Sequence, residues 1–287
     1  MNPYTIITDS GCDIDIATLE QWGVKCADLT VRNVEDSRIY LNREVKPEKF
    51  YTEMREGSVF QTSAVNPEGF KRVFTEELML GNDIICICVS GGISTTCQSA
   101  FIAAQELESQ FPDQKIIVID SLCASEGEGL LVYLAVEKKK TGATLEELEG
   151  YVNETIPSLS HWFTVDDLKY LKRGGRISPT AAFAATVLDI KPVMHVDDEG
   201  KLIAMSKVRG RRLAIKALAD KYSELAADPD GGIYFISQGD CAGDAAILES
   251  MIEEKHGHGA AHIGFVGPVI GAHSGPGTLA LFFVGKR

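Results

Sequence analysis

The sequence predicts an α/β protein with a parallel-sheet N-terminal domain and a second α/β domain of α+β-like character. In the first half, short apolar runs alternate with amphipathic stretches, as in βα units that cover both faces of a parallel sheet. From His161 this regular pattern gives way to short, less regular segments. The 287 residues, 45% of them hydrophobic, suffice for two modest cores. We therefore place the domains at residues 1–157 and 158–287.

The elements of the first half follow from hydrophobic periodicity and turn residues. Strands are predicted at 4–8, 84–89 and 115–119, and helices at 14–22, 48–56, 67–80, 94–109 and 125–140. Loops that follow parallel strands share one edge of the sheet, where ligands usually bind. We expect Asp9-Ser10, the 91–96 loop and Asp120-Ser121 to meet at this edge.

The second half contains shorter apolar segments. Strands or turns are predicted at 163–171, 192–196, 202–205, 233–237 and 262–266, with helices at 210–227 and 243–256. The polar stretch 142–153 precedes the domain boundary.

Composition excludes several classes of function. The net charge is −13 and the isoelectric point is near 5.0, so the chain is a poor partner for nucleic acid or an anionic membrane surface. The first residues contain no basic region or long apolar run, and no segment approaches the roughly 20 apolar residues of a membrane span. The odd number of cysteines, seven, and their irregular spacing are typical of a reduced, cytoplasmic protein.

Ser94 and Thr95 are the leading candidates for an anion-binding site. They follow Gly91-Gly92 at the junction between a predicted strand and a predicted helix. The unpaired N–H groups and the positive dipole end of a helix attract small anions. Alternatively, Ser94 is only an N-cap.

Thr62-Ser63 and His273-Ser274 are two further hydroxyl-bearing candidates. The first pair precedes the helix that begins near Pro67, where Ser63 or Asn66 could instead act as a cap. The second lies in the glycine-rich segment 271–277, and a histidine there can donate a hydrogen bond to a carboxylate. A loop histidine can also be incidental.

Basic residues in this acidic chain suggest local anion or partner sites. Arg173 and Arg176 flank Gly174-Gly175, and Arg209 lies in the basic stretch 207–212. The alternatives are a solvated turn and a solvated helix start. Cations at a helix N-terminus oppose its dipole, which favours a docking role for the second stretch.

No metal or cofactor is expected. His256, His258 and His262 lie in a segment interrupted by Gly257 and Gly259, without the cysteines or carboxylates that would complete a zinc site. Phosphate-binding, dinucleotide-binding and nucleophile-elbow motifs are missing from the sequence.

Taken together, the motifs resemble those of the DegV family over nearly the whole chain. The resemblance is carried by Thr8-Asp9-Ser10, Thr62-Ser63, Ser90-Gly91-Gly92-Ile93-Ser94-Thr95-Thr96, Asp120-Ser121, Leu171-Lys172-Arg173-Gly174-Gly175-Arg176-Ile177, Lys191-Pro192, Lys207-Val208-Arg209 and His273-Ser274-Gly275-Pro276-Gly277. The chain departs from the family pattern at Gly91, Thr95 and Cys97, and at 64–67.

The resemblance implies a two-domain protein that binds one long-chain fatty acid between its domains. Relatives are the lipid-binding subunit of a fatty-acid kinase in phospholipid metabolism, and they present the carboxylate to a separate ATP-dependent kinase. By this resemblance Thr62, Ser94 and His273 contact the carboxylate, with Ser63, Thr95 and Ser274 beside them. Arg173, Arg176 and Arg209 then lie at the entrance or face the kinase, and no residue is catalytic.

Two alternatives remain open from the sequence. One is a serine hydrolase or phosphatase with Ser94 as nucleophile and His273 as base, although no third orienting residue is evident. The other is an interaction protein whose basic loops bind a partner and which contains no internal cavity.

Overall fold

A parallel sheet of four strands forms the centre of the N-terminal half. The computed structural model describes residues 2–35, 38–177 and 189–287. The strands lie in the order β2-β1-β6-β7: β1 is Tyr4–Asp9, β2 Lys25–Ala27, β6 Asp83–Cys88 and β7 Ile116–Asp120. All three pairings are parallel, which confirms the predicted sheet.

Helices cover both faces of this sheet, because the buried strand β6 is apolar on both sides. Ile85 and Ile87 pack with the helices α5 (Glu126–Lys140) and α6 (Leu145–Thr155). Cys86 and Cys88 face α3 (Pro67–Met79) and α4 (Thr96–Glu108) on the other side. Shorter helices are α1 (Ile16–Trp22) and α2 (Pro47–Arg55).

A small antiparallel sheet in the order β4-β3-β5 also belongs to this half, and the sequence did not predict it. Its strands are β3 (Thr30–Asn33), β4 (Tyr40–Leu41) and β5 (Phe60–Ser63). Strands of two to four residues are too short to give a periodic signal. Thr62 lies on β5, and Asn66 rather than Ser63 caps α3, through a 2.8 Å bond from the Gly69 N–H.

The C-terminal half is built on a six-stranded sheet in the order β10-β9-β8-β13-β11-β12. The strands are β8 (Leu159–Thr164), β9 (Ile190–Val196), β10 (Leu202–Arg209), β11 (Tyr234–Gln238), β12 (His262–Phe265) and β13 (Leu279–Val284). The helices α8 (Arg211–Leu225) and α9 (Ala242–His256) pack on one face. The strand β13, which the sequence did not predict, lies between β8 and β11.

Several predicted segments differ in the structure. Residues 163–171, predicted as a strand or turn, are the end of β8, a turn and the start of a helix that the sequence did not predict, α7 (Lys169–Arg173). The polar stretch 142–153 is largely α6, which begins with a capping box between Thr144 and Glu147. His273-Ser274 ends a short helix, α10 (Pro268–Ser274), instead of lying in a loop. The helix expected at 94–109 begins at Thr96.

Candidate functional site

A largely apolar cavity of about 500 Å³ lies between the parallel sheet and the six-stranded sheet. This volume is within the range of small-molecule sites. Both halves of the chain supply its walls, including Leu29, Val89, Ile93, Phe163, Leu171, Val196, Leu202, Val266, Val269, Ile270, Ala280 and Phe282. Lined in this way, the cavity suits a ligand that is mainly hydrocarbon.

One face of the six-stranded sheet forms the floor of the cavity. Phe163 pairs with Ala280, and His161 pairs with Phe282, on the adjacent strands β8 and β13. These four residues line the cavity because alternate positions of a strand share a face. The floor therefore contains two cross-strand pairs of residues on the same face of the sheet.

Thr62 and His273 mark the polar end of the cavity. The hydroxyl of Thr62 lies 2.8 Å from Nε2 of His273. Burial, followed by the positive charges of Arg176 and Arg173, lowers the pKa of His273 to about 4. At neutral pH the imidazole is therefore uncharged, and it can donate or accept through Nε2. Its buried Nδ1 has no hydrogen-bond partner in the described part of the chain.

Ser94 lies in the same cavity, on the loop between β6 and α4. Its hydroxyl is 2.8 Å from that of Thr96 and accepts a 3.2 Å bond from the Thr96 N–H. Ser94 thus bonds the first turn of the helix and also faces the cavity, and its role in anion binding stays a prediction.

A close contact with the other half of the chain holds this loop. The hydroxyl of Ser90 donates to the Gly200 carbonyl at 2.9 Å and accepts from the Gly92 N–H at 3.0 Å. A Cβ at Gly92 would lie 2.5 Å from the Glu199 carbonyl oxygen, so only glycine allows this approach.

Arg176 supplies a positive charge at the cavity. Its Nε donates to the Ile93 carbonyl at 2.9 Å, and its guanidinium also bonds the Gly174 carbonyl. Burial lowers the pKa of this guanidinium, which still remains charged at neutral pH. Arg176 therefore connects the Gly174-Gly175 turn to the Ser94 loop.

The structure brings most of the predicted site residues to one place. Thr62, Ser94, Thr95, Arg176, His273 and Ser274 all line the cavity. Ser63, Arg173 and Arg209 are outside its lining and are exposed. Arg173 stacks over the ring of Tyr170 at 5.3 Å, and Arg209 ends β10.

Four polar residues in the described lining of the cavity escaped sequence analysis: Ser125, His161, Ser237 and Thr278. Ser237 lies within an apolar strand, and Ser125 follows β7 by five residues, so neither stands out by motif. His161 is 1% exposed, and burial lowers its pKa well below the usual range. Its ring nitrogens have no hydrogen-bond partner among the described residues.

The hydrogen bonds do not form a nucleophile–base pair at Ser94. Its hydroxyl bonds Thr96, whereas the Nε2 of His273 bonds Thr62. A serine nucleophile needs its base within hydrogen-bond reach. This arrangement disfavours the hydrolase alternative.

The three histidines at 256, 258 and 262 bond to separate groups. His256 contacts Ser223 and Asp230, and His258 contacts the Pro229 carbonyl. His262 pairs with Glu126 at 3.3 Å. Among the described residues, no three His, Cys, Asp or Glu side chains are grouped to hold a metal, and no helix is both long and apolar enough to span a membrane.

Comparison with known proteins agrees with the family resemblance found in the sequence. A family model described as "Uncharacterised protein, DegV family" matches residues 3–286. A DegV domain-containing protein of Clostridium perfringens is 37% identical over 99% of this chain and 98% of its own length.

Two solved structures share the fold. A DegV family protein from Thermus thermophilus, described for its fatty acid binding, has a TM-score of 0.89 at 29% identity and 99% coverage of both chains. DegV from Bacillus subtilis, described as a fatty acid binding protein, has a TM-score of 0.83 at 26% identity and 100% coverage of both chains.

Proposed function

This chain belongs to the DegV family, and on that premise we propose that it binds one long-chain fatty acid in the cavity between its two larger sheets. The observation that carries the proposal is the form of the cavity, whose apolar walls lead to a polar group formed by Thr62, Ser94 and His273. The fatty-acid binding described for the Thermus thermophilus and Bacillus subtilis proteins supports it.

The energetics favour such a ligand. A saturated C16 chain has about 14 methylenes, and burial of each contributes about 0.8 kcal/mol, or roughly 11 kcal/mol before entropy costs. The headgroup then needs only enough donors to offset desolvation of its carboxylate. The hydroxyls of Thr62 and Ser94 and the guanidinium of Arg176 are donors, and Thr95 and Ser274 line the same cavity.

The second part of the proposal is presentation without catalysis. The protein holds the carboxylate for a separate ATP-dependent kinase, which forms the acyl phosphate in cytoplasmic phospholipid metabolism. Exposed Arg173 and Arg209 are available to pair with carboxylates on that kinase. Ser94 bonds Thr96 instead of a histidine, which favours presentation over hydrolysis.

Native mass spectrometry of the purified protein, with lipid identification, tests this function. One equivalent of long-chain fatty acid is expected, and delipidated protein should bind added palmitate. Failure to bind palmitate would contradict lipid binding. Steady ester or phosphate hydrolysis that is abolished by Ser94→Ala would instead support the hydrolase alternative.

A further inference from the structure

A second cavity of about 420 Å³ adjoins the proposed acyl cavity. At three places, two consecutive residues of the chain line different cavities, one residue facing each cavity. The residues facing the acyl cavity are Leu29, Val266 and Val269, and their neighbours facing the second cavity are Asp28, Phe265 and Pro268. The wall between the two cavities is therefore one residue thick at these points.

A hydrogen bond between Ser125 and Asp13 crosses this wall. Ser125 lines the acyl cavity, and Asp13 lines the second one. The Ser125 hydroxyl donates to Oδ2 of Asp13 at 2.6 Å and lies 3.1 Å from the hydroxyl of Ser237. Burial raises the pKa of Asp13 well above its usual range, which favours the neutral acid. A neutral pair of this kind is compatible with an apolar surrounding.

The backbone at Ser125 is unusual for a residue with a side chain. Its φ of 53° and ψ of −147° lie close to a region that is occupied almost only by glycine. The serine side chain therefore costs conformational free energy at this position. Its bonds to Asp13 and Ser237 offset that cost, so the hydroxyl helps to hold the wall together.

The wall lies away from the polar end of the cavity. Thr278, Ala280 and Phe282 line the floor in succession, and at about 3.3 Å per residue they span about 13 Å. The Thr278 hydroxyl bonds the Gly275 carbonyl, two residues after His273, so Thr278 lies at the polar end.

The contacts of Ser125 and its neighbours lie further along this floor. Ser237 pairs with Ala280. Gly127, two residues after Ser125, packs against His161 and Phe282. A chain that runs from Thr62 and His273 along the floor thus reaches the wall with its distal methylenes.

We infer that the Ser125–Asp13 wall limits the length of the acyl chain that this protein accepts. The inference rests on the proposed function and adds a specificity-determining residue to it. Chains that end before the wall fit the acyl cavity alone. Longer chains have to displace the Ser125–Asp13 bond and enter the second cavity, whose lining includes apolar Ile14, Leu19 and Val45.

Ser125→Gly tests the wall, because glycine adopts this backbone conformation readily and removes both hydroxyl and Cβ. Saturated fatty acids from about C12 to C24 are titrated against delipidated protein. At about 0.8 kcal/mol per methylene, affinity should rise roughly fourfold per carbon until the tail meets the wall, and then fall. We call the chain length at which affinity stops rising the break. In the variant this break should move to longer chains. The affinity of the first excluded chain relative to the best-bound chain should rise at least tenfold.

Two matched variants serve as controls. Asp13→Asn keeps an acceptor of the same shape and should keep the break in place. Ser121→Ala removes a buried serine that bonds Cys123 within its own loop and is outside the lining of both cavities. It should also leave the chain-length profile unchanged.

An unchanged break in folded Ser125→Gly would overturn the inference. If that variant does not fold, Asp13→Gly replaces it, since Asp13 has a φ of 57° that suits glycine, and the same criterion applies. Failure of the wild-type protein to bind any chain would instead contradict the proposed function itself.

Discussion

The hydroxyl of Thr62 lies 2.8 Å from Nε2 of His273, although 211 positions of the chain separate the two residues. The bond joins the small sheet of the N-terminal half to α10 of the C-terminal half. With Nε2–H as donor, the Thr62 oxygen accepts this bond and its own proton is free for a carboxylate. In the fatty-acid site that we propose, the neutral histidine thus orients the hydroxyl, and Arg176 provides the positive charge.

Thr62→Val should weaken fatty-acid binding by about 10- to 150-fold. Loss of a hydrogen bond to a charged group costs about 1.5–3 kcal/mol. Titration with a labelled fatty acid measures the change. Ser63→Ala, at an exposed neighbour outside the cavity lining, is the matched control and should bind as wild type does. Equal affinity for wild type and Thr62→Val would exclude Thr62 from the headgroup site.

Ser94→Ala should also lower affinity by roughly 10- to 150-fold, because it removes a donor from the cavity. The same change removes the bond to the Thr96 N–H, so a small drop in melting temperature is expected as well. Ser99→Ala, about one turn further along α4, controls for the helix. A large drop in melting temperature with unchanged affinity would mean that Ser94 caps the helix and does not contact the fatty acid.

Arg209→Ala should leave lipid binding unchanged and slow acyl-phosphate formation in a reconstituted kinase assay. The side chain is exposed and outside the cavity lining, so its charge is available to a partner. The defect should become less distinct at high salt, which screens exposed charges.

Arg176→Ala is the informative comparison for Arg209. It should weaken lipid binding directly, because Arg176 lines the cavity and bonds the Ile93 carbonyl. Weaker lipid binding by Arg209→Ala would place Arg209 in the pocket. If Arg209→Ala supports the same rate of acyl-phosphate formation as wild type at every subunit concentration, Arg209 is not part of the surface that docks the kinase.

Glu128→Gln should stabilise the protein increasingly as pH rises. Burial raises the pKa of Glu128 well above its usual 4.5, and the Thr8 hydroxyl donates to it at 2.7 Å. Because the folded state then binds the proton more tightly than the unfolded state, wild-type stability declines as pH rises above about 4.5. Glutamine keeps the acceptor for Thr8 and has no proton to lose.

Thermal unfolding between pH 5 and pH 8 measures this effect. The melting temperature of Glu128→Gln relative to wild type should increase across that interval, by a few degrees. Glu154→Gln, at an exposed residue, is the control and should show no such trend. A difference that is constant with pH would mean that Glu128 does not titrate differently in the folded and unfolded states.

The sequence predicted the parallel sheet and the meeting of three loops at one edge of it because both depend on local patterns. Buried parallel strands are continuous apolar runs, and the loops after them share one edge. In the structure the Asp9 carboxylate accepts from the Val89 N–H at 2.9 Å, and the Asp120 carboxylate accepts from the Gly91 N–H at 3.1 Å. The three expected loops do meet.

Features that depend on long-range packing were not predictable in this way. The helix α10 contains Gly271 and is followed by Gly275 and Pro276, so its local sequence indicates a loop. Burial of Val269 and Ala272 against the N-terminal core stabilises it as a helix. Likewise, the contact between Ser125 and Asp13 is set by how α5 packs beside the loop after β1, which no spacing in the sequence reveals.

The central position of β13 has a consequence for how the protein is made. This strand follows every other described strand in the chain, yet β8 and β11 both pair with it. Until it emerges from the ribosome, those two strands present unpaired edges, which are prone to faulty association. Ala280 and Phe282 of the cavity floor also arrive with it. A nascent chain can thus complete the parallel sheet early, but the proposed lipid site forms only after β13 has been synthesised.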